Sequence, residues 1–259
     1  MAQYVDVEQA IGMPGLRVVL TPGVPGPWSE SAKGLLHVKK IPYVKARQII
    51  GAENEALRKW TAQETAPAFI YNDERPRSIW SDQLYLVERI APSPALIPSA
   101  IDERLRMFGL ANELCGENGL GWARRLMILH ESSAAANLPE AGRKFSTFMG
   151  QKYGYTPEVA AAAPARVATI VSAFAHQLEA QRQRGSRFLI GARLSALDIY
   201  WSCFAALLQP LPENLCPMPP NFRRMYDCKD PVVMGAAAPE LFAHRDFIYR
   251  EYLELPVDL

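Results

Sequence analysis

The sequence predicts an α/β domain followed by an all-α domain, and three observations carry that prediction. Short apolar strand candidates alternate with helical segments over the first ninety residues. A proline-dense stretch, Ala91-Pro92-Ser93-Pro94-Ala95-Leu96-Ile97-Pro98, then breaks the chain as a linker. Beyond it, Leu105, Phe108, Ala111 and Leu114, and later Val167, Ile170, Val171, Phe174 and Leu178, recur at helical spacing.

Residues 1–15 read as an extension with no pattern of their own, lying on the surface. Leu16 to Leu20 is a strand, followed by the Pro/Gly loop TPGVPGP and a helix with Ala32, Leu35 and Leu36 on one face. Tyr43 to Ile50 is a second strand, and Ala52 to Lys59 a polar helix. Ala66-Pro67 opens the apolar run Ala68 to Tyr71, too short for a helix; proline cannot donate to a central ladder and suits a strand's first residue. Asn72 to Pro76 is turn chemistry, and Arg77-Ser78-Ile79 pairs back as the second strand of a hairpin. Ser81 is the expected N-cap of a helix with Leu84, Val87 and Ile90 on its apolar face. The order is βαβαββα, with the first two strands parallel through a right-handed crossover and the hairpin antiparallel beside them. A helix N-terminus beside a strand end suits an anion such as a carboxylate, since unused N–H groups and the macrodipole both favour negative charge.

In the second domain, Ser195 with Asp198 has the spacing of a capping box. The helix after it, ALDIYWSCFAALL, is apolar nearly all round and belongs in the core. Gln209 to Pro220 is proline-rich and poor in helix, and a last helix is expected around Glu240 to Glu251.

Composition narrows the function classes. The 28 Lys and Arg against 27 Asp and Glu leave a formal charge of +1, which offers no footprint for nucleic acid or an anionic membrane. No apolar run approaches the roughly 20 residues that span a bilayer, and the first residues lack a signal peptide's basic flank, so a cytoplasmic location is expected. Cys115, Cys203, Cys216 and Cys228 are widely spaced, with neither a C-x-x-C nor clustered histidines; no metal site is expected, and the thiols read as buried and inert.

Three motifs together resemble the cytosolic glutathione transferases: Ala66-Pro67, like that family's cis-proline step; Trp80-Ser81, like its acidic or amide residue followed by serine; and Leu194-Ser195-Ala196-Leu197-Asp198, like its core capping box. The resemblance implies a thioredoxin-like N-terminal domain at 16–91, which binds glutathione, and a C-terminal helical-bundle domain at 99–259. It implies that glutathione is co-substrate, that Ala66 hydrogen-bonds its cysteinyl part beside Pro67, and that Ser81 holds its γ-glutamyl carboxylate. It also implies a homodimer and a small electrophilic second substrate. The chain departs from the pattern at Trp80, where an indole N–H replaces the usual Glu or Gln. Asp82 and Gln63 are the nearby groups able to take over its ammonium contact.

A glutathione thiol must be held as thiolate by a nearby donor. The position at which many relatives carry Ser or Cys falls on Gly26, leaving Thr21, Ser29 and Ser31 as hydroxyls and Trp28 as an N–H. Ser29 is the favoured catalytic group, where loop enters helix; its alternative role is plain N-cap. Absence of loop cysteines sets aside disulfide exchange. The second substrate is expected against Phe108, Asn112, Trp122 and Arg125, while Arg104, Arg106, Arg124, Arg143 and Lys144 read mainly as a solvated face. A non-catalytic binding or scaffold protein on the same fold is the competing function, favoured by Gly26 and Trp80.

Overall fold

The computed structural model describes residues 3–133 and 140–259. Two compact units emerge, one of Met1–Leu96, Pro212–Pro219 and Tyr249–Leu259, the other of Ile97–Leu211 and Pro220–Ile248.

The first unit runs α1 (Val7–Ile11), β1 (Leu16–Leu20), α2 (Pro27–Lys39), β2 (Val44–Arg47), α3 (Glu55–Thr61), β3 (Ala68–Tyr71) and α4 (Trp80–Ile90). The sheet order is β2-β1-β3. β1 pairs parallel with β2, Arg17 opposite Val44, and antiparallel with β3, Val18 opposite Phe69. All five residues of the central β1 are buried, as a strand covered on both faces requires.

Three expectations for this unit need correction. Residues 1–15 are not a patternless surface segment: Val5 forms a parallel bridge to Ala46, and Val7 and Ala10 are buried in a core cluster with Val19, Leu57 and Ile70. The bridge covers the β2 edge, whose unpaired backbone groups would otherwise face solvent. The hairpin's second strand shrinks to one bridge, in which Phe69 and Arg77 exchange N–H···O bonds of 2.9 and 2.8 Å. Ser81 is not an N-cap: α4 is capped at Ile79, whose carbonyl accepts from the Gln83 N–H at 3.0 Å, so Ser81 lies within the first turn.

The second unit contains α5 (Ile101–Cys115), α6 (Leu120–Ser133), α7 (Glu140–Tyr153), α8 (Pro157–Gln183), α9 (Ala196–Phe204), α10 (Pro220–Tyr226) and α11 (Pro231–Ala236), with α12 (Pro239–Tyr252) ending the helical order. Every residue of α9 is buried. Its capping box closes: the Ser195 N–H and hydroxyl both donate to Asp198 Oδ2, at 2.9 and 2.8 Å. Asp198 Oδ1 accepts from the Leu189 N–H at 2.8 Å and lies 3.0 Å from His244 Nε2. A fully buried carboxylate surrounded by donors pins three segments of the chain. The 27-residue α8 is apolar enough over 18 residues to meet a length and composition test for crossing a membrane, which corrects the reading that no stretch comes near it. Its Val167, Ile170, Val171, Phe174 and Leu178 are buried, the composition of a core helix in an alanine-rich bundle.

Candidate functional site

The candidate site lies where β3 begins and α4 starts. Ala66-Pro67 is a cis peptide bond at the entrance of β3, with Pro67 buried and Ala66 half-buried against the core cluster. Gln83, on the first turns of α4, is buried, and its amide nitrogen donates to the Pro67 carbonyl at 3.2 Å and to the Arg77 carbonyl at 3.1 Å. That single side chain ties the strand entrance to the helix start. Sequence reading missed Gln83; its only local signal was a polar residue on an otherwise apolar helix face.

From the other side, the Glu74 carboxylate accepts from Arg77 at 2.6 Å and from Arg89 at 2.5 and 2.7 Å, so the turn after β3 is fastened to α4. These arginine hydrogen bonds hold the Glu74 carboxyl below its usual range. No side chain caps α4, so its first-turn N–H groups, including that of half-buried Ser81, keep their donors directed at the helix entrance. Trp80 is half-buried at the first helical position. Asp82 lies 3.1 Å from Arg75 in an exposed pair. Gln63 is half-buried just beyond α3, where its backbone N–H donates to the Thr61 hydroxyl oxygen at 3.2 Å.

The loop before α2 sorts the candidate hydroxyls by what they already do. Thr21 donates to Gln48 Oε1 at 2.5 Å, and Ser31 donates to the Pro27 carbonyl at 2.6 Å. Gly26, not Ser29, is the N-cap of α2, so the capping role considered for Ser29 does not hold. Ser29 sits in the first turn, 7% exposed. A Cβ built on Gly26 would lie 4.0 Å from Ser29 Oγ, which directs the hydroxyl back toward the helix entrance. Trp28 beside it is half-buried.

In the helical unit, the four residues expected at a substrate pocket fall into two pairs. Phe108, half-buried, and Asn112, exposed, lie one turn apart on α5, and the Arg104 guanidinium stands 5.7 Å from the Phe108 ring centroid. Trp122 and Arg125 are both half-buried on α6; the Trp122 indole donates to the Tyr153 carbonyl at 3.0 Å, and Arg125 donates to the Tyr226 hydroxyl at 2.8 Å. Arg124 departs from the expected solvated face, being 1% exposed with its guanidinium on the Leu207 and Met225 carbonyls. All four cysteines are buried, and burial pushes the Cys115 and Cys228 thiols up, away from reactivity.

Comparison with known proteins adds the fold. No protein-family model matches the sequence, and no curated protein matches it. Among solved structures, the β-etherase LigF from Sphingobium sp. is 15% identical, covers 92% of this chain and 97% of its own, and has a TM-score of 0.63. A glutathione transferase family member from Pseudomonas fluorescens pf-5, solved with two glutathione bound, is 12% identical over 96% of this chain and 98% of its own, with a TM-score of 0.63. A rice glutathione transferase in complex with glutathione is 16% identical over 93% of each chain, with a TM-score of 0.59. The fold is that of the glutathione transferases, with a thioredoxin-like first domain and a helical second one.

Proposed function

We propose that this chain, on a glutathione transferase fold, binds glutathione in its N-terminal unit and stabilises the thiolate for attack on a small electrophile. The observation that carries the reading is the Gln83 clamp, which holds the start of β3 against an uncapped helix N-terminus. In this reading the Ala66 backbone, beside Pro67, pairs with the cysteinyl part of the peptide. The Ser81 hydroxyl and first-turn N–H groups receive the γ-glutamyl carboxylate. Asp82 and Gln63 supply the acceptors that Trp80 lacks, Asp82 by exchanging its exposed Arg75 pair for the glutathione ammonium. Ser29 is the thiolate donor: Thr21 and Ser31 already donate elsewhere, and Trp28 borders the same loop. The binding of glutathione by the rice and Pseudomonas proteins supports this assignment by fold. The domain division at 16–91 and 99–259, a cytoplasmic location and a two-fold homodimer belong to the same proposal; light scattering on the eluting protein tests the last, and a strict monomer excludes it.

The test of function is thermal unfolding with millimolar glutathione. A ligand at 100 times its Kd adds about 2.7 kcal/mol, so a clear rise in Tm is expected, and no shift excludes the assignment. A second reading, a non-catalytic binding protein, draws on Gly26, which puts no donor at the N-cap of α2. Glutathione binding without turnover of an activated aryl halide supports that reading.

A further inference from the structure

Among the described residues, one half-buried cation of the helical unit, Arg125, has no acid paired with it. Arg124 and Arg125 are neighbours on α6 with different fates. Arg124 is held mainly by structure: its Nε donates to the Leu207 carbonyl at 3.1 Å and Nη2 to the Met225 carbonyl at 3.0 Å, while Nη1, buried without a hydrogen-bond partner, lies 3.6 Å from the Glu131 carboxylate. Arg125 has no such allocation. It donates to the Tyr226 hydroxyl at 2.8 Å, and its guanidinium carbon stands 5.2 Å from that ring's centroid. Its Nε is buried with no hydrogen-bond partner, and no ion pair joins it to a carboxylate among the described residues. Residues 1–2 and 134–139, outside that description, contain no Asp or Glu.

The surroundings are aromatic and hydroxylic. The Tyr153 hydroxyl faces the guanidinium, and the Tyr153 ring meets Trp122 edge-on at 4.7 Å. Tyr226 is fully buried, with Phe222 edge-on at 6.4 Å. Burial pulls the Arg125 pKa down, the two tyrosines more than offset it, and the group stays charged. The pKa of Lys152 is lowered, by burial first and by the Arg125 charge second. Burial raises the Tyr153 pKa, so that phenol does not supply the missing countercharge. A desolvated guanidinium with an unused N–H is costly, and its planar fork matches a carboxylate.

We propose that Arg125, Tyr153 and Tyr226 form a carboxylate-binding site in the helical unit, taking an aromatic carboxylic acid whose carboxylate meets the guanidinium and whose ring lies against Trp122 and Tyr153. The aromatic walls beside the guanidinium fit a carboxylate carried on a flat apolar body. The inference stands apart from glutathione binding, and its test omits glutathione.

The intact chain is titrated with sodium benzoate at fixed ionic strength, followed by calorimetry and thermal unfolding. Saturable binding and a rise in Tm are expected with benzoate, and neither with benzamide, which has the same shape without the charge. Arg125→Met should weaken benzoate about tenfold, and Arg125→Lys, which keeps the charge but loses the fork, by an intermediate factor. Equal responses to benzoate and benzamide, a response to inorganic phosphate matching that to benzoate, no benzoate binding, or unchanged affinity in Arg125→Met each overturn the proposal. Should Arg125→Met fail to fold by circular dichroism, Tyr226→Phe replaces it, removing the hydroxyl that orients the guanidinium; weakened benzoate binding is expected, and unchanged affinity overturns the site.

Discussion

Ser29 is singled out by what its neighbours already do. Two of the three candidate hydroxyls are donors to Gln48 and Pro27, and that allocation, invisible in the sequence, is why Ser29 is the proposed thiolate donor. Ser29→Ala is therefore expected to lower glutathione turnover by about tenfold or more, the usual scale for losing one donor to a developing anion, while glutathione still binds. Kinetics and binding measured together check this; unchanged turnover removes Ser29 from the chemistry. The converse substitution is also informative. Gly26 has φ of −67°, and a Cβ there meets nothing nearer than 4.0 Å, so Gly26→Ser fits without strain. Serine improves on glycine as an N-cap by only a few tenths of a kcal/mol, so Tm should scarcely move while turnover rises. A fall in turnover would show that the small residue is needed for access. Gln83→Leu leaves the Pro67 and Arg77 carbonyls without this donor, at about 1–3 kcal/mol, and should weaken glutathione binding as well as lower Tm. Full glutathione affinity in that variant would detach the clamp from the site.

At the scale of elements, the start of α9 was readable and the start of α4 was not, and the contrast has a physical cause. The capping box at Ser195 is satisfied by residues three positions apart, so sequence spacing suffices. At α4, the Phe69–Arg77 bridge and the Gln83 clamp fix where the chain turns into the helix, and these contacts outweigh a cap preference of about 1 kcal/mol for Ser81. The same contrast governs the second hairpin strand, whose residues have strand character but find only one partner pair. Asp198 gathers more than a cap should need. Asp198→Ala strands buried donors on Leu189, Ser195 and His244, and a loss of about 3–5 kcal/mol is expected in denaturant unfolding, well beyond an ordinary cap deletion. A loss near 1 kcal/mol would reduce Asp198 to a simple cap.

Across the whole N-terminal unit, both ends of the chain meet at β2. Val5 bridges Ala46, the Asp258 carboxylate pairs with the buried Lys45 ammonium, and the Asp258 carbonyl accepts from Lys33 at 2.5 Å. Tyr4 covers Lys45, with the ammonium 5.5 Å from its ring centroid. Its phenol is pushed up to about 12, by burial first and then by Glu30 and Asp258. A folded pKa above the unfolded value of about 10 means that stability present below pH 10 is lost as pH rises through 12. Tyr4→Phe should therefore flatten the decline in stability between pH 10 and 12, as unfolding followed across that range will report; an unchanged decline assigns it to other groups.

The succession β1-α2-β2-α3-β3-α4 and the α9 box follow from the sequence, because periodicity, turn residues and caps act within a few positions of one another. The tertiary structure decided how donors and charges are shared: Thr21 to Gln48, Gln83 to Pro67, Arg124 to backbone carbonyls, Arg125 to the Tyr226 hydroxyl, and the two chain ends to Lys45. Those pairings join residues far apart in the chain, and a buried polar group takes whichever partner the fold brings within about 3 Å, which local spacing does not encode.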